Sequence, residues 1–75
     1  MSNWYEREQE LRAMREIETA KAEQVCQEVY KQAADAAKRG ERLPATEWER
    51  VKQAREAAVT KDHAYIEHLQ TAAVD

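Results

Sequence analysis

The sequence has few of the residues that turns, disulfides and phosphate-binding loops require. Its 75 residues include one glycine, one proline, one cysteine and no phenylalanine. Sheets need frequent turns, and turns need more glycine, proline and asparagine than this, so a β fold is excluded. One cysteine cannot form an internal disulfide, and one glycine cannot build a glycine-rich phosphate loop. The length predicts a single domain over residues 1–75.

Long apolar runs are also absent. No stretch of the sequence approaches the roughly 18 to 20 apolar residues that a membrane helix needs. The segment Met1–Glu6 has no basic stretch followed by an apolar one, so we predict no secretory signal. The lone cysteine gives no indication of an oxidising compartment. We therefore expect a cytoplasmic protein that does not contact a membrane.

Charged residues are abundant and nearly balanced in sign. Twelve Lys and Arg stand against 15 Asp and Glu, for a net charge of −3, and charged residues make up 36% of the chain. A dedicated DNA-binding protein is normally basic, so nucleic acid is an unfavoured partner. The many Ala, Glu, Lys, Arg and Gln residues are typical of long helices, and we predict an all-α fold.

The helical pattern breaks most clearly around Gly40. Two cations precede this glycine, as expected at a helix C-terminus, where the residue after the last turn adopts a positive φ. Pro44 opposes simple continuation of the helix. Thr46 and Glu49 have the spacing of a capping box, which marks a helix start. These signals predict helix 1 at about 3–39, a turn at 40–46 and helix 2 at about 47–73.

Each predicted helix carries an apolar stripe with steps of three and four residues. Two long helices with a short connection fold back as an antiparallel, coiled-coil-like hairpin. A turn near residue 43 pairs residues whose numbers sum to about 87, so that Ala36 faces Val51 and Met14 faces Ala72 or Ala73. The helix 1 stripe is Trp4, Leu11, Met14, Ile17, Ala22, Val25, Val29, Ala33 and Ala36, and the helix 2 stripe is Trp48, Val51, Ala54, Ala58, Tyr65, Leu69 and Ala72. Arg55 and Asp62 interrupt the second stripe.

A hairpin of this size buries too little apolar surface to be very stable, since a single core below about 70–80 residues seldom supplies more than ~3–5 kcal/mol. Association of two hairpins into a four-helix bundle is the common remedy, and we predict a homodimer. Its orientation, parallel or antiparallel, stays open. The predicted dimer interface is Val25, Cys26, Val29, Tyr30, Val59 and Ile66.

Neither a metal site nor a catalytic site is predicted. His63 and Glu67 are one helical turn apart, but a zinc site needs three or four ligands. Cys26 lies on or beside the apolar stripe, where cysteine acts as a small buried hydrophobe, and a Cys26–Cys26 contact across a dimer axis is the alternative. A two-helix rod has no concave wall to form a catalytic cleft, so we expect a non-enzymatic protein without a cofactor.

The start of helix 1 is the predicted surface for a partner protein. In the predicted register helix 1 extends past helix 2, which leaves Trp4 and Tyr5 without a facing helix, and Trp and Tyr are frequent interface anchors. Arg7 and Leu11 lie beside them. A second surface, suited to RNA or an acidic partner, collects near the turn as Lys38, Arg39, Arg42 and Arg50.

These features predict a small interaction module, a dimeric adaptor, regulator or inhibitor that binds a larger protein through a helix face. One alternative is an RNA-binding regulator, because the predicted bundle resembles in architecture the plasmid RNA-binding four-helix bundles. Another is a co-chaperone. The stretch from the turn through Trp48, Ala54, Ala58 and Val59 loosely resembles the helical-hairpin chaperone subunits of type III secretion needles, although Lys61-Asp62-His63 departs from their apolar continuation.

Overall fold

The computed structural model describes residues 2–72, which form two helices, α1 (Ser2–Lys38) and α2 (Ala45–Ala72). The helices pack against each other as a hairpin, and no strand occurs within the described range. The predicted all-α hairpin is therefore confirmed. Ala73, the last residue of the predicted helix 2, lies outside the described residues. The molecule is a rod of 59 by 15 by 15 Å.

Gly40 ends α1 as the sequence predicts. Its φ is +71°, a conformation that glycine adopts without strain. The Gly40 amide donates to the Ala37 carbonyl at 3.0 Å, and the Glu41 amide donates to the Ala36 carbonyl at 2.8 Å. This pair of bonds is a Schellman motif, which satisfies carbonyls that the end of the helix would leave unpaired.

The start of α2 corrects the predicted capping box. The helix begins at Ala45, directly after Pro44, and the Glu47 amide donates to the Pro44 carbonyl at 3.1 Å. Thr46 therefore lies inside the first turn, where its exposed side chain makes no hydrogen bond to any described residue. The fixed φ of proline is compatible with the start of a helix, so α2 begins directly after Pro44 without a hydroxyl cap.

The register of the hairpin also differs from the predicted one. Contacts between the helices join Trp4 to Thr71, Glu8 to Tyr65 and Arg15 to Asp62. The numbers in these pairs sum to between 73 and 77, and not to 87. Ala22 is therefore level with about Ala54.

The loop between the helices explains this shift. Residues 41–44 are not helical, and an extended residue advances roughly 3.3 Å against 1.5 Å for a helical one. Four non-helical residues can cover up to about 13 Å, which is the length of about nine helical residues. That is also the difference between the 37 residues of α1 and the 28 of α2. The loop, and not α2, therefore lies beside the last turns of α1. At the other end of the rod, the start of α1 and the end of α2 lie at about the same height.

The seam between the helices is narrow and contains many polar groups. We call it the inner seam. On α1 its positions recur with heptad spacing, and four apolar side chains among the described residues are buried: Leu11, Ala22, Val29 and Ala36. The half-buried polar side chains between them include Glu8, Arg15, Glu18, Lys61, Asp62 and His68. Small residues allow close approach of the helices, but they bury little apolar area, so the hairpin has a thin core of its own.

Candidate interaction surface

Trp4 corrects the prediction that the start of α1 lies free. Its indole N–H donates to the Thr71 hydroxyl at 2.8 Å, and its ring stacks on the His68 imidazole with centroids 4.8 Å apart. The His68 Nε2 is 2.9 Å from the Trp4 carbonyl, to which it donates. Because α2 reaches this end of the rod, Trp4 packs against α2 and is half-buried, and it does not extend past the end of α2 as predicted.

The other residues predicted to bind a partner are divided between core and surface. Leu11 is buried in the inner seam. Tyr5 is 67% exposed and meets Trp4 edge-to-face at 5.2 Å, and Arg7 is exposed and paired with Glu10 at 3.3 Å. Tyr5 and Arg7 therefore remain accessible, but the four residues do not form one surface.

Further polar contacts join the two helices along the inner seam. The Tyr65 hydroxyl donates to Glu8 at 3.1 Å, and Glu8 also holds Arg12 at 3.1 Å. The Arg15 guanidinium lies 4.5 Å from the centre of the Tyr65 ring and 3.5 Å from Asp62. Glu8 with Tyr65, and Arg15 with Tyr65 and Asp62, join specific positions on α1 and α2 and thereby favour one register of the two helices.

One face of the hairpin carries large apolar side chains that the seam leaves outside. We call it the outer stripe. The Tyr30 and Trp48 rings meet at 6.1 Å, which joins the two helices on this face. Val59 lines a shallow groove together with Thr19, and Tyr30 lines a second groove together with Arg55. The exposed apolar members of the outer stripe are Tyr5, Tyr30, Trp48, Val59, Ile66 and Leu69.

The sequence interpretation named Tyr30, Val59 and Ile66 as interface residues but missed that Trp48 belongs with them, because it placed Trp48 in the core. Trp48 is 42% exposed. A second series on α2, with its own steps of four and three residues, was the available signal: Trp48, Lys52, Arg55, Val59, Asp62, Ile66 and Leu69. Arg55 and Asp62, which interrupt the predicted core stripe, are regular members of this series.

The structure distributes the predicted dimer residues over three environments. Tyr30, Val59 and Ile66 are exposed members of the outer stripe. Val25 and Cys26 are half-buried. Val29 is 0% exposed, so its assignment to a dimer interface is corrected, because the seam already covers the whole side chain.

The predicted basic patch near the loop is partly neutralised by carboxylates. Arg39 lies 3.4 Å from Glu41. Arg50 lies 2.7 Å from Glu47 and 3.6 Å from Glu28. Lys38 and Arg42 are exposed. The patch therefore has weaker positive character than the sequence count suggests.

No group of three or more potential metal-ligating side chains lies together within the described part of the chain. Over the same residues, neither helix combines the length and the apolarity needed to cross a membrane. Comparisons with protein-family models, curated proteins and solved structures found no match to this chain.

Proposed function

We propose that this protein is a small cytoplasmic, non-enzymatic interaction module that works as a homodimer. Two hairpins pack through their outer stripes into a four-helix bundle, and the bundle acts as an adaptor or inhibitor of a larger protein. One observation carries the proposal. Among the described residues the hairpin buries only Leu11, Ala22, Val29 and Ala36, and six of its eight exposed large apolar residues lie along the outer stripe. Exposed large apolar side chains concentrated on one face are typical of association sites.

The exposed area supports association. A compact monomer of this mass exposes roughly 4,700 Å², whereas this chain exposes 5926 Å². One face of the rod, 59 by 15 Å, measures about 900 Å², close to the ~800 Å² that each partner buries in a standard interface. Packing of a second copy on one face would thus bury most of the accessible area that this chain exposes beyond a compact monomer.

A larger protein would bind on the opposite side of α1. At 100° per residue, Ile17 is turned by about 200° from Thr19, which borders the outer stripe. Met14 and Ile17 are both exposed and one turn apart, so they remain open when the outer stripe is covered. A protein partner is favoured over RNA because carboxylates pair with two of the four cations near the loop.

The dimer is tested by sedimentation equilibrium at micromolar concentration. The native chain should sediment at about twice its 8.7 kDa mass. Val59→Asp should shift the mass to that of one chain, since a carboxylate buried in an apolar interface is unfavourable. Ile17→Asp, an equal change at an equally exposed residue, should leave the dimer intact. A native chain that sediments as a folded monomer would overturn the homodimer.

The larger partner is tested by affinity capture from the source cells, with mass spectrometry of what is retained. Ile17→Asp should lose a protein that both the native chain and Glu10→Gln retain, because Glu10 is exposed on the same side of α1 but is not apolar. Equal recovery by Ile17→Asp would place the partner elsewhere on the bundle.

A further inference from the structure

We infer that the second copy packs antiparallel, about a two-fold axis that crosses the outer stripe near Val59. The axis places α1 over α1 of the second copy and α2 over its α2. This inference rests on the proposed homodimer and specifies its arrangement.

The outer stripe of α2 is complementary to a second copy of itself that runs in the opposite direction. Trp48, Arg55, Asp62 and Leu69 recur every seven residues, so they lie on one side of the helix. An axis between residues 58 and 59 places Trp48 opposite Leu69 of the second copy and Arg55 opposite its Asp62. Each such contact joins apolar to apolar or cation to anion, which favours this orientation. Asp62 also contacts Arg15 of its own chain at the edge of the inner seam, yet its side chain stays 45% exposed and can accept a second cation.

The outer side of α1 shows the same property independently. Tyr5, Arg12, Glu23 and Tyr30 are separated by two or three helical turns. An axis between residues 17 and 18 places Tyr5 opposite Tyr30 of the second copy and Arg12 opposite its Glu23. Arg12 also contacts Glu8 of its own chain, yet its side chain stays 47% exposed and can reach a second carboxylate.

A single two-fold axis requires the midpoint of the α1 pattern, between residues 17 and 18, to lie at the same height on the rod as the midpoint of the α2 pattern, between residues 58 and 59. The register of the hairpin meets this requirement. Arg15 contacts Asp62, and Thr19 shares a groove with Val59. The middle of the α1 pattern is therefore level with the middle of the α2 pattern. The predicted register, with sums near 87, would have separated the two midpoints by roughly 15 Å.

The charge along the rod also favours the antiparallel arrangement. Among the described residues, the half away from the loop, residues 2–19 and 59–72, holds four cations and seven anions, whereas residues 20–58 hold eight cations and seven anions. A parallel dimer would place the two acidic halves side by side. The antiparallel dimer places each acidic half beside a slightly basic one, which lowers the repulsion.

The arrangement separates the native cysteines. The residue opposite Cys26 is Gln9 of the second copy, so the two Cys26 side chains lie about 25 Å apart along the rod. A Cys26–Cys26 disulfide is therefore excluded by this geometry. Two cysteines at position 59 would instead face each other at the axis, within the 4.4–6.8 Å between Cα atoms that a disulfide needs.

The test is disulfide cross-linking under mild oxidation, read on non-reducing gels, with the mass of each variant measured under reducing conditions. Val59→Cys with Cys26→Ser should form covalent dimers. Lys52→Cys with Cys26→Ser, on the same face but about 20 Å from its counterpart, should not, and neither should the native chain. A reduced protein that is dimeric but not cross-linked at position 59 would overturn the antiparallel axis alone. A reduced native chain that is monomeric would overturn the homodimer and this inference together.

Discussion

The inner seam and the outer stripe use similar residue spacings for opposite purposes. The seam buries Leu11 and Val29 with alanines around them, and joins the helices by polar contacts. The stripe carries larger side chains, such as Trp48 and Ile66, and leaves them exposed. The seam therefore sets the shape and register of the hairpin, whereas most of the apolar surface available for stabilisation lies outside it.

A buried Val or Leu contributes roughly 1.5–3 kcal/mol, and an alanine contributes less. Over the part of the chain that the structure describes, four apolar residues are buried and two of them are alanines, so we expect the isolated hairpin to have a small free energy of unfolding. Covering the outer stripe would add contacts from Trp, Tyr, Ile and Val side chains. We expect the folded hairpin to depend on protein concentration, because association of two copies stabilises both.

An aspartate placed in the inner seam should have a much larger effect on folding than an aspartate placed in the outer stripe. Val29→Asp should lower the free energy of unfolding by about 3 kcal/mol, since the carboxylate would be fully buried without a partner. Val59→Asp should keep its helical circular dichroism at low temperature while losing the dimer. Equal loss of helicity in both variants, measured at the same concentration, would remove the distinction between the two surfaces.

The next effect compares the neighbouring aromatics at the start of α1. In the Val59→Asp background, which isolates the hairpin, Trp4→Ala should cost about 2 kcal/mol because the half-buried indole also donates to Thr71. Tyr5→Ala should change stability by less than about 0.5 kcal/mol, as expected for an exposed side chain. Urea unfolding measures both. If Trp4→Ala lowered the free energy of unfolding as little as Tyr5→Ala, the contacts of Trp4 with α2 would not stabilise the hairpin.

A smaller effect tests the loop that sets the register. Gly40→Ala should cost about 1 kcal/mol, because φ is +71° and no neighbouring atom lies within 4 Å of the added Cβ. Backbone strain is then the whole cost. Gly40→Asn should cost less, since asparagine tolerates this conformation. Thermal unfolding of the two variants should show this order, and the reverse order would indicate a different cause.

The smallest effect concerns the start of α2. Thr46→Ala should change the free energy of unfolding by less than about 0.5 kcal/mol, because the hydroxyl caps nothing and alanine is a better helix former. A functioning capping box would instead cost about 1 kcal/mol. Chemical denaturation distinguishes the two values, and a loss near the larger one would restore the predicted cap.

Several features of the fold were predictable because they depend on local chemistry. The scarcity of turn residues and the steps of three and four apolar residues predict two helices, whatever their partners. Gly40 predicts the end of α1, since few other residues adopt a positive φ there. The outer series on α2 was present in the sequence, but an amphipathic pattern does not say which of two stripes will face the other helix.

Local chemistry is therefore enough to specify two helices, the position of the loop between them and two series of residues on α2 from which a seam could form. How the helices pack sets which series forms the seam, where Trp4 lies and which residues stand at equal height. Residues 41–44 are not helical, and four such residues can displace one helix along the other by up to about 13 Å. The register of the hairpin depends on this displacement, and no local propensity encodes it.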